Sequence, residues 1–298
     1  MEIPKSPALL ILLACAVWGL TFPLTDYALH FFDPFFILSL RFLIALLILG
    51  GYLLFTGRFT FSAAELKIGL LVGAVLFLTF ATQIVGQKTV SPTSSALITG
   101  LYVIFVPLLA GLVQARTPSW RLLTCALLAF LGLFLLSGAQ LSMGIGEWLT
   151  VICAVFASVH ILMLSKCGHM DSTRLAFLQV GTCALMSVLA IPALGAIPVE
   201  LPLQPLLAIG FMGVFASAFA YWAQTTAQKS LPAEKVAVFF LFEPMFAALF
   251  GWLFFGVLLA PLQWAGGALI LLGMWGVQTD RSALLSSARL ESKESLHP

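Results

Sequence analysis

The sequence predicts an all-α integral membrane protein with ten transmembrane helices in two inverted five-helix repeats. Composition is the first reason, because the 298-residue chain is 61% hydrophobic and 9% charged, whereas soluble domains carry about 25% charged residues. The second is a mean hydropathy of +1.09, distributed over apolar runs long enough to cross a bilayer. The third is that small and polar residues recur after 138 to 141 positions, which indicates an internal duplication.

Ten apolar segments of about 20 residues each define the predicted spans. Turn residues and charges separate them, as at Asp33-Pro34, Ser91-Pro92 and Pro232. A polar, cytoplasmic and disordered tail is expected over 281–298. The predicted spans are, in order, 8–27, 34–55, 66–88, 92–113, 119–137, 146–165, 173–195, 205–229, 233–256 and 261–279.

Basic residues are distributed unevenly between the two ends of these spans. The side that holds the N-terminus collects twelve Lys and Arg residues, the other side collects only Lys88, and Arg41 lies within a span. Because short cytoplasmic loops carry the excess of basic residues, both termini are expected in the cytoplasm, in a plasma or bacterial inner membrane. The twelve are Lys5, Arg58, Lys67, Arg116, Arg121, Lys166, Arg174, Lys229, Lys235, Arg281, Arg289 and Lys293.

The duplication divides the chain into a first five-helix repeat, 1–140, and a second, 141–280. Because each repeat has an odd number of spans, the second copy should be inverted in the membrane. Inverted repeats with a binding site at their interface are the architecture of alternating-access carriers. The matches are Cys15/Cys153 and Asp33/Asp171 at a spacing of 138, and Gly69/Gly210, Gln83/Gln224, Gln87-Lys88/Gln228-Lys229, Ala96/Ala237 and Gly132/Gly273 at 141.

Glu243 lies in the middle of the predicted span 233–256, close to the membrane midplane. A carboxylate there costs on the order of 3 kcal/mol, so it should face protein or water rather than lipid. The adjacent Pro244 is expected to kink the helix. We favour a cavity-lining carboxyl that binds a proton or an ammonium group; the alternative is a structural link between two helices.

The repeat offers two partners for Glu243. A spacing of 141 pairs it with Tyr102, which also lies near the middle of its span, whereas alignment of Pro107 with Pro244 pairs it with Val106. Sequence spacing leaves both possibilities open.

Polar residues inside other spans share helix faces and extend the candidate site. Interhelical hydrogen bonds in membranes contribute only about 0.6 kcal/mol each, so a wet cavity explains these residues better than helix packing alone. The candidate cavity residues are Gln83, Thr99, Tyr102, Tyr221 and Gln224.

Three further candidates each have an alternative explanation. Trp18 either belongs to a moving gate or anchors its span at the membrane interface. Arg41, about 10 Å inside its span, either contacts a substrate anion or has a structural role, in which it caps carbonyl groups or pairs with an acid such as Asp26. His160 either relays protons or, neutral, hydrogen-bonds to a neighbouring helix. We favour the structural explanation for Arg41 and His160.

Several of these residues stand in motifs that resemble the EamA-type drug/metabolite transporters. Phe242-Glu243-Pro244-Met245-Phe246-Ala247-Ala248-Leu249 resembles that family's "LEP-x-x-A-A-L" signature, Trp18-Gly19-Leu20-Thr21-Phe22 its "WG-S/T-x-F" motif, and Arg41-Phe42 its "RF" pair. Members often close the ninth helix with Gly-Glu, whereas Val257 follows Gly256 here, so no role is carried over for that acid. The resemblance implies a ten-helix secondary carrier, often an exporter of metabolites or amino acids.

The expected function is therefore secondary active transport of a small organic metabolite, with amino acids the leading class because the resemblance points there. The expected partners are this substrate and the lipid bilayer, and the chain is expected to be a monomer or weak homodimer. The alternatives are a carrier of another polar solute, such as a nucleotide-sugar, and a non-transporting membrane scaffold or enzyme subunit.

Other classes of function find no support in the sequence. Basic residues form no stripe that would predict nucleic-acid binding. No HExxH motif, phosphate loop or nucleophile elbow predicts enzyme chemistry. No cofactor or metal is expected, because the five cysteines show no CxxC or other metal-ligand spacing: Cys15, Cys125, Cys153, Cys167 and Cys183.

Overall fold

The computed structural model describes residues 6–113, 119–136, 143–240, 242–256 and 258–278, and every regular element within these ranges is helical. A π-helical segment, Met212–Phe219, joins α9 to α10 without a break. The helices are α1 (Pro7–Leu29), α2 (Pro34–Phe55), α3 (Ala63–Gly86), α4 (Pro92–Thr99), α5 (Tyr102–Val113), α6 (Trp120–Leu136), α7 (Ile145–Ser165), α8 (Ser172–Leu194), α9 (Leu203–Phe211), α10 (Ala220–Ala227), α11 (Ala233–Phe239), α12 (Phe242–Phe255) and α13 (Pro261–Gln278).

The helices have the length and surface of a multi-pass membrane protein. Eight segments of the described chain are long and apolar enough to cross a membrane, and Pro261–Gly273 is a shorter apolar helix. Large apolar side chains point outward in mid-helix: Leu47 on α2 is 73% exposed and Trp275 on α13 is 63% exposed. Such a surface is compatible with lipid rather than with water. The spans predicted at 119–137 and 261–279 correspond to α6 and α13.

Two predicted spans are interrupted rather than continuous, which corrects the expected kink at Pro244. The span 92–113 is divided between Thr99 and Tyr102, and the span 233–256 between Phe239 and Phe242. Pro244 lies in the first turn of α12, where a proline costs no helical hydrogen bond. The helix is therefore interrupted before the proline and is not kinked at it.

The matched aspartates of the two repeats, Asp33 and Asp171, both cap the start of a helix. Asp33 caps α2 by accepting a hydrogen bond from the backbone N–H of Phe35 at 3.1 Å. Its counterpart Asp171 caps α8 through the N–H groups of Thr173 and Arg174, both at 3.0 Å. An aspartate at this position satisfies N–H groups that the helix itself leaves unpaired.

The repeats contact each other through equivalent residues. A Cβ on Gly132 of α6 would lie 2.8 Å from the side chain of Ile270 on α13, and a Cβ on Gly273 of α13 would lie 3.3 Å from the Cβ of Ala129 on α6. Ala129 and Gly132 are the partners of Ile270 and Gly273 at a spacing of 141. Each contact therefore has a reciprocal copy, as two-fold related units require.

Matching connections of the two repeats lie at opposite ends of α7. Thr89, after α3, lies against Gly146 in the first turn of α7. Lys229, after α10, lies 3.8 Å from a Cβ placed on Gly168, beyond the last turn of α7. The two connections follow the matched glutamines Gln87 and Gln228, so their positions at opposite ends of α7 are those that an inverted second repeat would give. The predicted boundary at 140/141 and the tail 281–298 lie outside the described residues.

Candidate functional site

A cavity of about 60 Å³ lies between helices of both repeats, next to the two points where a predicted span is interrupted. Eight of the nine candidate residues line it; the ninth, Arg41, does not. Within the described residues, no group of three or more His, Cys, Asp or Glu could hold a metal ion. The lining residues are Trp18, Thr21, Leu76, Thr79, Phe80, Gln83, Thr99, Tyr102, Ala157, His160, Ile161, Tyr221, Gln224, Phe240 and Glu243.

The hydroxyl group of Tyr102 joins the two interrupted spans. Its oxygen lies 3.0 Å from Oε2 of Glu243 and 2.9 Å from the carbonyl oxygen of Phe240, at the break between α11 and α12. The Cys15 thiol donates to the preceding carbonyl, that of Phe239, at 3.3 Å. The carbonyl oxygen of Phe240 also accepts from the backbone N–H of Glu243 at 3.0 Å. Side chains from other helices thus bind both carbonyl groups at the interruption, where the backbone is not helical.

The contact between Tyr102 and Glu243 selects between the two possible alignments of the repeat. The two residues are 141 positions apart. The helix interruptions agree with this spacing. The ends of α4 and α11 are 140 residues apart, and so are the starts of α5 and α12. The difference of one residue from 141 is within the usual variation of assigned helix ends. Alignment of Pro107 with Pro244 would need a spacing of 137, so Tyr102 is the repeat partner of Glu243 and Val106 is not.

Gly19 allows α1 to approach α12 at the carboxyl-bearing turn. A Cβ on Gly19 would lie 2.9 Å from both the carbonyl oxygen of Glu243 and the amide nitrogen of Ala247, and would collide with Phe246. The neighbouring Trp18 is 7% exposed and its Nε1–H donates to the carbonyl oxygen of Ala216 at 2.8 Å. Its burial contradicts the alternative of an interfacial anchor.

Aromatic rings form one wall of the cavity. The ring of Trp18 lies 5.4 Å from that of Tyr221 and 5.3 Å from that of Phe240, centroid to centroid. The ring of Tyr102 lies 5.6 Å from Phe240, and that of Phe80 lies 6.1 Å from Tyr221. These tilted and edge-on arrangements are the preferred ones for aromatic pairs. The wall presents π-faces beside a single carboxyl group.

The paired glutamines of the repeats make different contacts. Nε2 of Gln83 donates to the hydroxyl oxygen of Thr99 at 3.3 Å. Nε2 of Gln224 donates to Oε1 of Gln228 at 2.9 Å, and Gln228 donates in turn to the carbonyl oxygen of Ile161 at 3.0 Å. Both amide groups reach the cavity, and the second belongs to a buried chain of hydrogen bonds.

The repeat counterpart of Gln228 makes a similar bond on the other side of the molecule. Nε2 of Gln87 donates to the carbonyl oxygen of Phe22 on α1 at 3.3 Å. In both repeats the glutamine that ends the third span therefore binds a backbone carbonyl of the first span. This contact gives the matched glutamines a structural role.

His160 lines the cavity and also makes the interhelical hydrogen bond that the sequence favours. Its Nε2 lies 2.7 Å from Oε1 of Gln179 on α8, and Nε2 of Gln179 donates to the hydroxyl oxygen of Thr225 at 3.0 Å. The histidine is 4% exposed. The network connects α7, α8 and α10 next to Tyr221.

Arg41 lies behind the cavity wall. Its Nε–H donates to the hydroxyl oxygen of Ser217 at 2.7 Å, and its guanidinium carbon lies 4.7 Å from the ring centroid of Phe80 and 5.5 Å from that of Phe42. Its Nη2 has no hydrogen-bond partner in the described part of the chain. The side chain contacts a hydroxyl group and two rings rather than the acid Asp26, and one of those rings, that of Phe80, lines the cavity.

Several lining residues have no signal in the sequence. Phe240, Phe80, Leu76 and Ile161 are apolar residues in largely apolar helices, so hydrophobic periodicity does not distinguish them from the apolar residues that face lipid. Thr79 does have such a signal, because it shares a helix face with Gln83 at a spacing of four.

Comparison with known proteins gives a consistent result. A model of the EamA-like transporter family matches residues 5–138 and 144–279. The chain is 30% identical over 263 residues to an uncharacterized transporter of Archaeoglobus fulgidus, covering 88% of this chain and 82% of that protein. It is 26% identical over 283 residues to a protein of Chlamydia muridarum named as an S-adenosylmethionine/S-adenosylhomocysteine transporter, covering 88% of each. A solved crystal structure shares the fold with a TM-score of 0.68 at 19% identity, covering 96% of this chain and 98% of that one.

Proposed function

The chain belongs to the EamA-like transporter family, and we propose on that basis that it is a secondary active transporter that exports small organic metabolites, amino acids foremost. It works by alternating access with ten spans and two inverted repeats, in a plasma or bacterial inner membrane. The position of the central cavity is the main support. The cavity lies where an interrupted span of one repeat meets an interrupted span of the other, which is where carriers of this type bind substrate.

The chemistry of the cavity suits a substrate with a positively charged amino group. Glu243 is the one acidic side chain among the described residues that line it, and the rings of Trp18, Tyr221 and Phe240 surround the same space. A carboxylate and aromatic faces both attract an ammonium group. The relatives named as S-adenosylmethionine transporters carry a compound that is itself an amino-acid derivative.

The size of the cavity supports alternating access. Pockets that hold small molecules measure about 300–1,000 Å³, whereas this cavity measures about 60 Å³. Water molecules fit and an amino acid does not. Substrate therefore enters after the helices around Glu243 separate on one side of the membrane.

The hydrogen bonds of Tyr102 suggest how a proton is coupled to substrate. A hydroxyl group has one proton, yet Tyr102 lies within 3.0 Å of two acceptors. When Glu243 is protonated, its O–H donates to Tyr102 and the proton of Tyr102 goes to the carbonyl oxygen of Phe240, so both contacts are satisfied. When an ammonium group replaces the proton, Tyr102 turns to the carboxylate. Proton and substrate thus compete for one carboxyl group, and proton entry drives export.

The direct test compares substrate movement in the parent and the Glu243→Gln variant. Metabolites exported by cells that overexpress the protein are first compared with those of cells that lack it, with S-adenosylmethionine included. Proteoliposomes are then loaded with the identified compound. Glu243→Gln should still fold, but it should exchange substrate with a higher apparent KM, because the ammonium group loses its carboxylate, and it should lose accumulation driven by a pH gradient. Glu147→Gln, in the first turn of α7 and outside the cavity, is the matched control and should behave as the parent.

Thermal unfolding of both variants must be measured alongside. If Glu243→Gln folds normally and still accumulates substrate as the parent does between about pH 5.5 and pH 8, the proton is not carried by this carboxyl group. If no exported compound differs between the two cell lines, the export function itself is wrong.

A second experiment tests the orientation, with both termini in the cytoplasm. Single cysteines at positions 58 and 200 should react with an impermeant thiol reagent from opposite sides, position 200 from outside. The five native cysteines are buried, so the background is low. Labelling of position 58 from outside would reverse the proposed topology.

A further inference from the structure

A second cavity, of about 550 Å³, lies between α12, α13 and the start of α4. On α12 it is bordered by Met245, Ala248, Leu249 and Trp252, which recur every three or four residues and form one helix face. Glu243 points into the central cavity from a different face. The same helix therefore separates a small polar cavity from a larger one.

The walls of the larger cavity are apolar. Thr93 is the one polar side chain among the described residues that line it, and no charged residue takes part. The wall on α13 contains Gly267, which has no side chain, and Ala268, which has only a methyl group, and both leave the space open. An ordered water needs two to four polar partners, and this lining offers the single hydroxyl group of Thr93, so the cavity does not hold water.

The cavity extends from one end of the helices towards their middle. Along α12 it runs from Pro244 to Trp252, a distance of about 12 Å at 1.5 Å per residue. Trp252 and Trp264 lie at the same end, where α12 stops and α13 begins, and both are 59% exposed. Tryptophan is enriched at the membrane–water interface. The hydrocarbon core is about 30 Å thick, so the cavity spans close to the depth of one leaflet.

We propose that this cavity binds one acyl chain of a bilayer phospholipid, with the headgroup at the end marked by Trp252 and Trp264. Three features agree on this occupant: the apolar walls, the depth of one leaflet, and an open side bordered by exposed apolar residues such as Met245 and Leu249, at 53% and 47%. An unfilled space would leave those walls without van der Waals partners on one side.

A chain bound there supports the helix that carries the central carboxyl group. It contacts Pro244, the residue after Glu243, and Ala248 one turn later. The lipid therefore packs against the first turns of α12 from the side opposite the central cavity. The site is independent of whether Glu243 couples transport to protons.

Photolabelling with a lipid tests the site. The purified full-length protein is placed in vesicles of phosphatidylethanolamine and phosphatidylglycerol that contain a trace of phosphatidylcholine with a photoreactive acyl chain. Adducts are mapped by mass spectrometry. Labelling at Met245 and Leu249 should exceed, at least threefold, labelling at Leu47, which is more exposed at 73% but lies outside the cavity.

A cavity-filling variant provides the second arm. Ala268→Trp places a bulky ring inside the cavity and should lower the labelling of Met245 and Leu249 to the level of Leu47. Ala265→Trp makes the same change at an exposed position on α13 outside the cavity and should leave the labelling unchanged.

Three results would overturn the proposal. The first is labelling of the parent at the cavity no stronger than at Leu47, which requires no variant and stands even if Ala268→Trp fails to fold. The second is a folded Ala268→Trp protein labelled like the parent. The third is cross-linking of the cavity face to a second copy of the chain in place of lipid.

Discussion

The hydroxyl oxygen of Tyr102 lies 3.0 Å from the carboxyl group of Glu243, and the two residues occupy equivalent positions in the two repeats. The contact therefore crosses the approximate two-fold relation between the repeats at the point where one span of each is interrupted. One residue supplies a hydroxyl group and the other a carboxyl group, so the duplicated scaffold carries an asymmetric site.

Tyr102→Phe removes the hydroxyl group that reaches both Glu243 and the carbonyl oxygen of Phe240. We expect a loss of about 1–3 kcal/mol in the free energy of unfolding, because the buried carboxyl group of Glu243 loses its hydrogen bond to Tyr102. Chemical unfolding in detergent measures it. Tyr221→Phe is the control, since its hydroxyl group makes no hydrogen bond to the described residues and its ring lines the same cavity. Equal stability of the two variants would mean that the Tyr102 contact contributes nothing to the fold.

Gly19→Ala adds one methyl group where α1 meets α12. Because a Cβ there would lie 2.9 Å from backbone atoms of Glu243 and Ala247, the two helices must separate, at a cost of about 1–3 kcal/mol. Gly51→Ala is the matched control: nothing lies within 4 Å of its Cβ, and replacing a helical glycine should stabilise by up to about 1 kcal/mol. The melting temperature should therefore fall in Gly19→Ala and rise in Gly51→Ala. A change in the same direction in both variants would contradict the close contact at Gly19.

Substitution of Arg41 distinguishes a structural role from contact with substrate. Lysine can replace neither the Nε–H donation to Ser217 nor the planar contact with Phe80. We expect both Arg41→Lys and Arg41→Gln to lower the yield of folded protein, while the surviving protein transports with unchanged apparent affinity. Transport assays over a range of substrate concentrations provide the measurement. A selective loss of affinity in Arg41→Gln, with Arg41→Lys intermediate, would instead place the guanidinium group in contact with a substrate anion.

Asp171 should give the fold a measurable acid sensitivity. Burial alone would raise the pKa of its carboxyl group, but the backbone N–H of Arg174 and the guanidinium group of Arg58 outweigh burial and lower that pKa from its ordinary value of 3.8. Because the folded-state pKa is the lower one, the ionised group stabilises the protein fully at pH values above that ordinary value, and this stabilisation is lost as the pH falls through the folded-state pKa.

Two variants separate the ion pair from the helix cap at Asp171. Asp171→Asn keeps a capping side chain but no charge, so the melting temperature should fall less than in the parent between about pH 5 and pH 2. The effect at neutral pH should be about 1 kcal/mol or less, since Arg58 is 44% exposed. Asp171→Ala also loses the cap and should cost about 1 kcal/mol more. A parent-like acid response in Asp171→Asn would exclude this carboxyl group as its source.

The sequence determines the features of this protein that depend on local composition. Apolar runs of bilayer length, the pairing of Asp33 with Asp171 and of Gln83 with Gln224, and a lone carboxyl group at Glu243 are all legible along the chain. Hydrophobic transfer and the cost of an intramembrane charge act on each segment by itself. For that reason the helical class and the internal repeat are predictable without knowledge of which helices touch.

Only the tertiary structure decides where the spans break and which polar groups meet. At the interruption before Phe242, the distant residues Cys15 and Tyr102 donate to the exposed carbonyl groups. At the interruption before Tyr102, nearby backbone N–H groups bind the carbonyl oxygens of Gly100 and Leu101. The same packing places Phe240 in the cavity wall and Arg41 behind it. In spans that are apolar on every face, the local pattern does not mark the inward side, and contacts between residues more than a hundred positions apart select it.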